Sequence, residues 1–391
     1  MSRRFFRGKS YGGNTRYRKS YKDLPKIDIS KYVHKALPFK ESLSTEEQMC
    51  FSDLEVTPIL RQNILNRGFR YLTPIQQKAI YPIMKGQDVI GIAHTGTGKT
   101  GAFLIPLIHA ITQNRNKRIL IMVPTRELAQ QIFAEMCEFS RSMGIYAATI
   151  IGGASMYKQI QLLRRNPQFV IGTPGRLKDL IERKILKFDS FDTVILDEVD
   201  RMLDMGFIQD IRYLISLLPQ KKQSLFFSAT LSHNIHALIH TIAKDPIMIS
   251  IKNEYITANI DQDVVHINAN QNKMEVLHDL LIKKEMQKTL IFGRTKRGVE
   301  RLSRDLIDRG FKVSAIHGDK TQSRRNKAIE LFKKNIVNIM VATDVASRGI
   351  DIDNITHVIN YDQPENYEDY IHRIGRTGRA NKTGKALTFI D

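Results

Sequence analysis

Cysteine is scarce: the 391-residue chain has only Cys50 and Cys137. That is too few for a disulfide framework or a cysteine-based zinc site, and it fits a reducing compartment. Long apolar runs are missing too. The longest, around Ala102–Ile111, is interrupted by Pro106 and His109 and falls short of the ~18 residues a membrane helix needs. An integral membrane protein is therefore not expected. The N-terminus carries charge without an apolar core, so a secretory signal is not expected either. Acids are absent from the first 22 residues.

What is present suits a globular protein. Hydrophobic residues make up 42% and charged residues 26%, enough material for real cores. The length suggests two or three domains at roughly 100–200 residues each. Lys and Arg number 60 against 40 Asp and Glu, a net charge of +20 that favours polyanionic partners, nucleic acid or an anionic surface. Half of that excess lies before residue 41, where twelve bases face Asp23 and Asp28 alone. Such a segment, poor in aliphatics and rich in Gly, Ser and Tyr, cannot offset its ordering entropy, and residues 1–46 read as a disordered basic extension. Its bases with Phe5, Phe6, Tyr11, Tyr17 and Tyr21 could grip phosphates and stack on bases. A plain solvated tail is the alternative. A transit peptide is a third reading, opposed by the missing Leu-rich amphipathic face.

From about Glu47 short β-branched runs alternate with helical patterns. Strands are expected at Asp88–Ala93, Arg118–Pro124, Gln168–Thr173, Thr193–Asp197 and Ser224–Ser228. After a polar stretch the rhythm restarts at Val264–Asn268, Thr289–Phe292, Lys312–His317, Asn338–Thr343, His357–Tyr361 and Ala386–Ile390. Nearly continuous apolar runs indicate parallel strands buried on both faces. Two such series predict two doubly wound α/β domains, 47–250 and 262–391, joined by a linker at 251–261. Functional groups are expected beyond the carboxyl ends of the strands.

One strand runs directly into Ala93-His94-Thr95-Gly96-Thr97-Gly98-Lys99-Thr100 and then a helix. This is a relaxed phosphate-binding loop, with Ala93 where the strict pattern has Gly. Gly96 and Gly98 let backbone N–H groups of the Thr95–Thr100 loop wrap phosphate oxygens at a helix N-terminus. Lys99 is expected to reach the outer phosphates and Thr100 to hold Mg²⁺. A second apolar strand ends in Asp197-Glu198, where Asp197 would bind hydrated Mg²⁺ and Glu198 would deprotonate an attacking water. His233, His236 and His240 stand at helical spacing, but no carboxylate or Cys joins them, so no metal site is assigned there.

The ordered set of motifs resembles the DEAD-box RNA helicases from about Phe51 onward. In the first domain it comprises Gly68-Phe69, Thr73-Pro74-Ile75-Gln76, the phosphate loop, Pro124–Ala129, Gly152-Gly153, Thr173–Arg176, Asp197–Asp200 and Ser228-Ala229-Thr230. The second domain adds Thr289–Thr295, Gln322 with Arg325, Val341–Asp351 and His372–Arg379. Two positions depart from the pattern: Val199 stands for the usual Ala, and Leu72 for the usual Pro. Neither removes a polar group the chemistry needs.

The resemblance implies two RecA-like domains in tandem that use ATP and Mg²⁺ to act on RNA. It implies that Gln76 reads adenine while Phe51 stacks on it, with Phe69 in the same nucleotide-binding set. The absence of an Asn-Lys-x-Asp guanine reader and the two-sided hydrogen bonding of Gln agree with ATP. Asp351 should contact the ribose, and Arg376 and Arg379 should act as arginine fingers. Asp200, Ser228, Thr230 and His372 should link the ATP and RNA sides. RNA backbone contacts are implied for Arg126, Gly153, Thr173, Arg176, Arg325 and Thr343. The expected activity is RNA-stimulated ATP hydrolysis with local, non-processive unwinding, largely independent of base sequence. An ATP-gated RNA clamp and a DNA-directed motor are the competing readings. A cytoplasmic monomer is expected, a nucleus or organelle remaining open, and a further helix is expected after the last strand.

Overall fold

Runs of Val, Ile, Leu and Phe too short for helices form the strands of two separate sheets. The computed structural model describes residues 27–36, 49–94, 96–251, 259–268, 270–347, 352, 354–378 and 383–390. Residues 1–26, Thr95, Asp351 and Arg379 lie outside the described residues, as do the expectations attached to them.

In the first domain α1 (Pro58–Asn66) and α2 (Pro74–Met84) precede β1 (Val89–Ile92), and α3 (Lys99–Gln113) follows it. Then come β2 (Ile119–Met122), α4 (Arg126–Phe139), β3 (Ala147–Ile150), α5 (Met156–Arg164), β4 (Phe169–Gly172) and α6 (Pro174–Glu182). β5 (Thr193–Asp197), α7 (Val199–Asp204), α8 (Ile208–Ser216), β6 (Gln223–Ser228), α9 (His233–His240) and β7 (Ile247–Ser250) complete it. The second domain holds β8 (Ile260–His266), α10 (Lys273–Leu281), β9 (Thr289–Phe292), α11 (Lys296–Asp308), β10 (Val313–Ile316) and α12 (Gln322–Lys333). It continues through β11 (Ile339–Ala342), α13 (Asp344–Ser347), β12 (His357–Asn360), α14 (Tyr367–Ile374) and β13 (Gly384–Ile390).

The sheets run β3-β4-β2-β5-β6-β1-β7 and β10-β11-β9-β12-β13-β8, and every strand pairing within them is parallel. Apolar side chains cover both faces of the first sheet, Ile105, Ile121 and Phe227 on one and Leu120, Leu196 and Phe226 on the other. Two strands escaped the sequence pattern. Both β3 and β7 lie at edges, and their half-exposed side chains break the apolar run that marks a central strand.

The order of the first sheet places the carboxyl ends of β1, β6 and β5 side by side. Ile92 pairs with Ser228, and Asp197 with Phe227. The phosphate loop, the Ser228–Thr230 turn and the Asp197–Asp200 carboxylates therefore share one rim.

Two boundaries differ from expectation. β8 starts at Ile260, inside the segment read as linker, because Ile260–His266 pairs with Gly384–Ile390 along its whole length. Residues 27–36, read from charge as part of a disordered extension, instead form a 3-10 turn at Ile29–Tyr32 and an antiparallel bridge from His34 to Gln262. Charge density hid the few apolar groups, notably Tyr32, that anchor them. Among the described residues no helix is long and apolar enough to cross a membrane.

Candidate nucleotide and nucleic-acid sites

The phosphate loop is held by its own domain. Gly96 and Gly98 adopt left-handed φ values of +85° and +89°, which turn the backbone sharply before α3. A side chain at Gly98 would meet the Gln76 amide nitrogen at 2.7 Å and the Thr73 hydroxyl at 2.9 Å, so only glycine fits. Lys99 is buried, and its Nζ donates to Ala93 O at 2.7 Å across the loop. The Thr97 hydroxyl donates to His94 O at 2.7 Å. Thr100 follows in the first turn of α3, half-buried. Gly96 is exposed and Thr97 and Gly98 are half-buried, which leaves the loop accessible to a phosphate.

Gln76 lies against this loop as the N3 residue of a capping box on α2. Its Oε1 accepts Thr73 N–H at 2.9 Å, and its Nε2 donates to Gly98 O at 3.0 Å. One N–H and one lone pair remain for a base edge. Phe51 is 1% exposed, a core residue as it stands, and stacking on a base would require its surroundings to move. Phe69 packs against Phe51 and Phe139 at 6.3 and 6.1 Å between ring centroids, with Arg67 over its face. The ring most open to solvent here is Tyr71, 55% exposed and bridged to Cys50, which the motif reading passed over.

The carboxylates are buried. Asp197 Oδ1 accepts Glu198 N–H at 2.9 Å, and burial pushes Asp197 up to about 7 against the pull of Lys99. A bound divalent cation reverses that effect. Glu198 sits in the left-handed region at φ +53°, a strained position for a residue with a side chain, and turns the chain into α7. Its Oε2 accepts from the guanidinium of Arg201, itself buried. Arg201 carried no sequence signal beyond its place after the motif. Hard oxygen donors from Thr100 and Asp197 suit Mg²⁺.

Asp200 joins the adjacent strand ends. It accepts from Ala229 N–H (2.8 Å), Thr230 N–H (3.1 Å) and Arg201 N–H (2.9 Å), while its own N–H donates to the Ser228 hydroxyl (3.3 Å). Burial works to raise Asp200, but Lys99, His372 and these N–H donors together hold it below the ordinary carboxylate value. His372 comes from α14 in the other domain, and its ring centre is 5.9 Å from that of His94 in the phosphate loop. Burial drives His372 down to about 3 despite Asp200, with Arg201, Arg376 and His94 adding to the shift. The four expected coupling residues thus form one group across the cleft. Arg376 is buried beside them, its Nε donating to His372 O at 3.3 Å.

α14 is locked in turn by Arg373, an interior residue rather than a finger. Arg373 grips Asp344 with two bonds of 2.6 and 2.8 Å and donates to Asp362 O at 2.6 Å, while its guanidinium covers Phe292.

A cavity of about 440 Å³ spans both domains and collects four of the expected RNA contacts, Arg126, Thr173, Arg176 and Arg325. Gly153 (φ +75°) sits beside it, where a Cβ would clash with the Arg126 guanidinium. Thr343 does not line this cavity; it is buried at the start of α13. Glu127 pins the domains together, accepting from Gln322 Nε2 at 2.9 Å and pairing with Arg325 at 2.8 Å. Arg126 Nη1 also reaches Gln322 Oε1 at 3.4 Å. Glu127 stands within the Pro124–Ala129 motif, and nothing local marks it as a cross-domain partner. On α9, the His236 and His240 ring nitrogens lie 3.3 Å apart on an exposed face.

Two doubly wound sheets, with a phosphate loop on one and His372 from a helix of the other set against it, define a tandem RecA-like protein. Comparison with known proteins narrows the class. A DEAD/DEAH box helicase model matches residues 73–238, and a helicase conserved C-terminal domain model matches 272–381. The chain is 44% identical over 342 residues to an ATP-dependent RNA helicase CshA of Listeria monocytogenes, covering 87% of this chain and 66% of that one. It is 43% identical over 344 residues to a CshA of Limosilactobacillus reuteri, covering 88% and 69%. It thus spans about two thirds of the length of these relatives.

Among solved structures, a DEAD box protein from Methanococcus jannaschii is 41% identical, with 88% of this chain and 93% of that one covered and a TM-score of 0.53. Saccharomyces cerevisiae Dbp5 bound to RNA and ADP BeF3 is only 28% identical, with 87% and 89% covered, yet scores 0.78. Similar domains set at different angles would produce that reversal. The chain belongs to the DEAD-box family of ATP-dependent RNA helicases.

Proposed function

We propose that this chain hydrolyses ATP in response to RNA and uses the cycle to open short duplexes locally, without processive movement. The observation that carries the reading is the division of both sites between the domains. The first domain contributes Lys99, Asp197 and Glu198 to the nucleotide side; the second contributes His372 and Arg376. On the other side Arg126, Thr173 and Arg176 face Arg325. The resemblance in overall arrangement to a relative described as bound to RNA and ADP BeF3 supports reading this arrangement as the closed one.

In this reading the loop amides and Lys99 bind the β and γ phosphates, and Glu198 accepts a proton from the attacking water. Arg376 neutralises charge on the transferring phosphoryl group once the cleft is closed, with Arg379 assigned the same role by its motif position. Thr100 and Asp197 would hold Mg²⁺, which supplies charge neutralisation on the phosphates when bound. Asp200 carries the state of the nucleotide side to the Ser228–Thr230 turn and to His372. RNA across both domains favours closure, so ATP and RNA each bind more tightly in the presence of the other. Closure that bends one strand disrupts a short duplex, and hydrolysis reopens the cleft. Backbone contacts dominate, so the RNA is read with little base preference.

The test is steady-state phosphate release with and without single-stranded RNA, beside Glu198→Gln and a DNA competitor. Strong stimulation by RNA, weak stimulation by DNA and loss in the variant are expected. Binding of both ligands with no turnover would instead indicate an ATP-gated clamp.

A further inference from the structure

Residues 27–36 precede both matched family regions, yet they are built into the second domain. Asp28 Oδ1 accepts Ser30 N–H at 3.0 Å and caps the turn Ile29–Tyr32. The turn sends Tyr32 into a cluster with Ile260, Tyr370, Ile374 and Ala386, where it is 2% exposed. Its ring meets that of Tyr370 edge-on, with 4.7 Å between centroids. Two residues later His34 and Gln262 exchange backbone hydrogen bonds of 3.0 and 2.7 Å, which adds a rung to the outer edge of β8. Lys31 lies over the Tyr367 ring, and Lys35 pairs with Asp261 at 3.7 Å.

The helix so gripped is α14. Tyr370 precedes His372 by two residues, and its hydroxyl donates to Gln262 Oε1 at 3.0 Å. One face of α14 thus rests on Tyr32, β8 and β13, while the His372 ring reaches the phosphate loop of the other domain. We propose that Tyr32 is a positioning residue: the strap 27–36 fixes α14 on its own sheet so that His372 and Arg376 meet the first domain in register. The proposal rests on the roles given to His372 and Arg376 above.

The test uses the full chain with Tyr32→Ala, His34→Pro and Tyr32→Phe, read by amide hydrogen exchange and by RNA-stimulated turnover. Tyr32→Ala removes the wedge, and His34→Pro removes the N–H that bonds Gln262. Both should speed exchange in 367–374 and 260–266 by on the order of tenfold, with α3 and α4 unchanged. Both should lower kcat about fivefold at saturating RNA while KM for ATP stays within about twofold. Tyr32→Phe keeps the ring and should match the parent in both readouts. Unchanged exchange in α14 for Tyr32→Ala would overturn the proposal. So would a uniform rise across the second domain with a lower melting temperature, or failure of Phe to rescue. If the parent shows no RNA-stimulated turnover the functional reading fails, and the exchange data still decide whether the strap holds α14.

Discussion

The first domain brings its groups to the cleft on strand ends and tight loops, whereas the second brings them on one helix and the turn that follows it. Lys99, Asp197, Glu198 and Asp200 are tied down by backbone atoms or side chains of their own domain. Their geometry does not wait for a partner. His372 belongs to α14 and Arg376 to the turn just after it; Arg373 anchors that helix to Asp344, and Tyr32 packs on its Tyr370. A half-site with internal support can bind a nucleotide alone. A half-site that is delivered acts only on closure, so its loss should appear in kcat rather than in binding.

Variants can break this comparison. Lys99→Ala should lower kcat/KM by on the order of 10³-fold, since the proposed mechanism gives it a phosphate contact made in the ground state and strengthened in the transition state. Phosphate-release kinetics would show kcat and KM both affected. Arg376→Ala should lower kcat about 10²–10³-fold with KM for ATP within about twofold, because a group delivered by closure touches only the later state. A rise in KM alone would place Arg376 among the ordinary binding groups. Arg373→Ala leaves Asp344 without its bidentate partner and should cost about 3–5 kcal/mol of second-domain stability, read by thermal or urea unfolding. A change confined to turnover would contradict its structural role.

Smaller effects sharpen the picture. Glu127→Gln weakens the bridge to Gln322 and Arg325, and should reduce the mutual enhancement of ATP and RNA binding by about tenfold. Isothermal titration of each ligand with the other present measures this directly. The mildest prediction concerns pH. A free His372 takes up a proton near ~6.5, whereas burial holds the docked ring down at about 3. The separated state therefore binds more protons between those values, and docking is fully favoured above ~6.5 and weakens as pH falls through that window. RNA-dependent coupling should decline between about pH 7 and 5.5, and His372→Gln should flatten that decline. A profile unchanged by the variant would assign the titration elsewhere.

Much of this was legible in the chain. The central strands announced themselves because both faces are buried, and the phosphate loop because strand, glycines, Lys99 and helix agree over a dozen residues. The edge strands β3 and β7 did not, since half their side chains meet solvent. Cross-domain partners were harder still. Glu127 and Gln322 meet although 195 residues separate them, and no local periodicity encodes such a contact. Nothing in the His372–Arg379 motif distinguishes the buried Arg373, bonded to Asp344 from another element, from the arginines beside it. Tyr32 was hidden by the charges around it, because composition averages over a window while one buried ring can anchor a segment.

The most direct test of the divided site is a pair of binding measurements on the intact chain. RNA affinity would be measured with and without a non-hydrolysable ATP analogue, and analogue affinity with and without RNA. Linkage through a shared closed state predicts that each ligand tightens the other by the same factor, at least about tenfold, and that Glu127→Gln shrinks both factors together. Affinities that ignore the other ligand would contradict it, and would mean that the two domains bind their ligands as independent units.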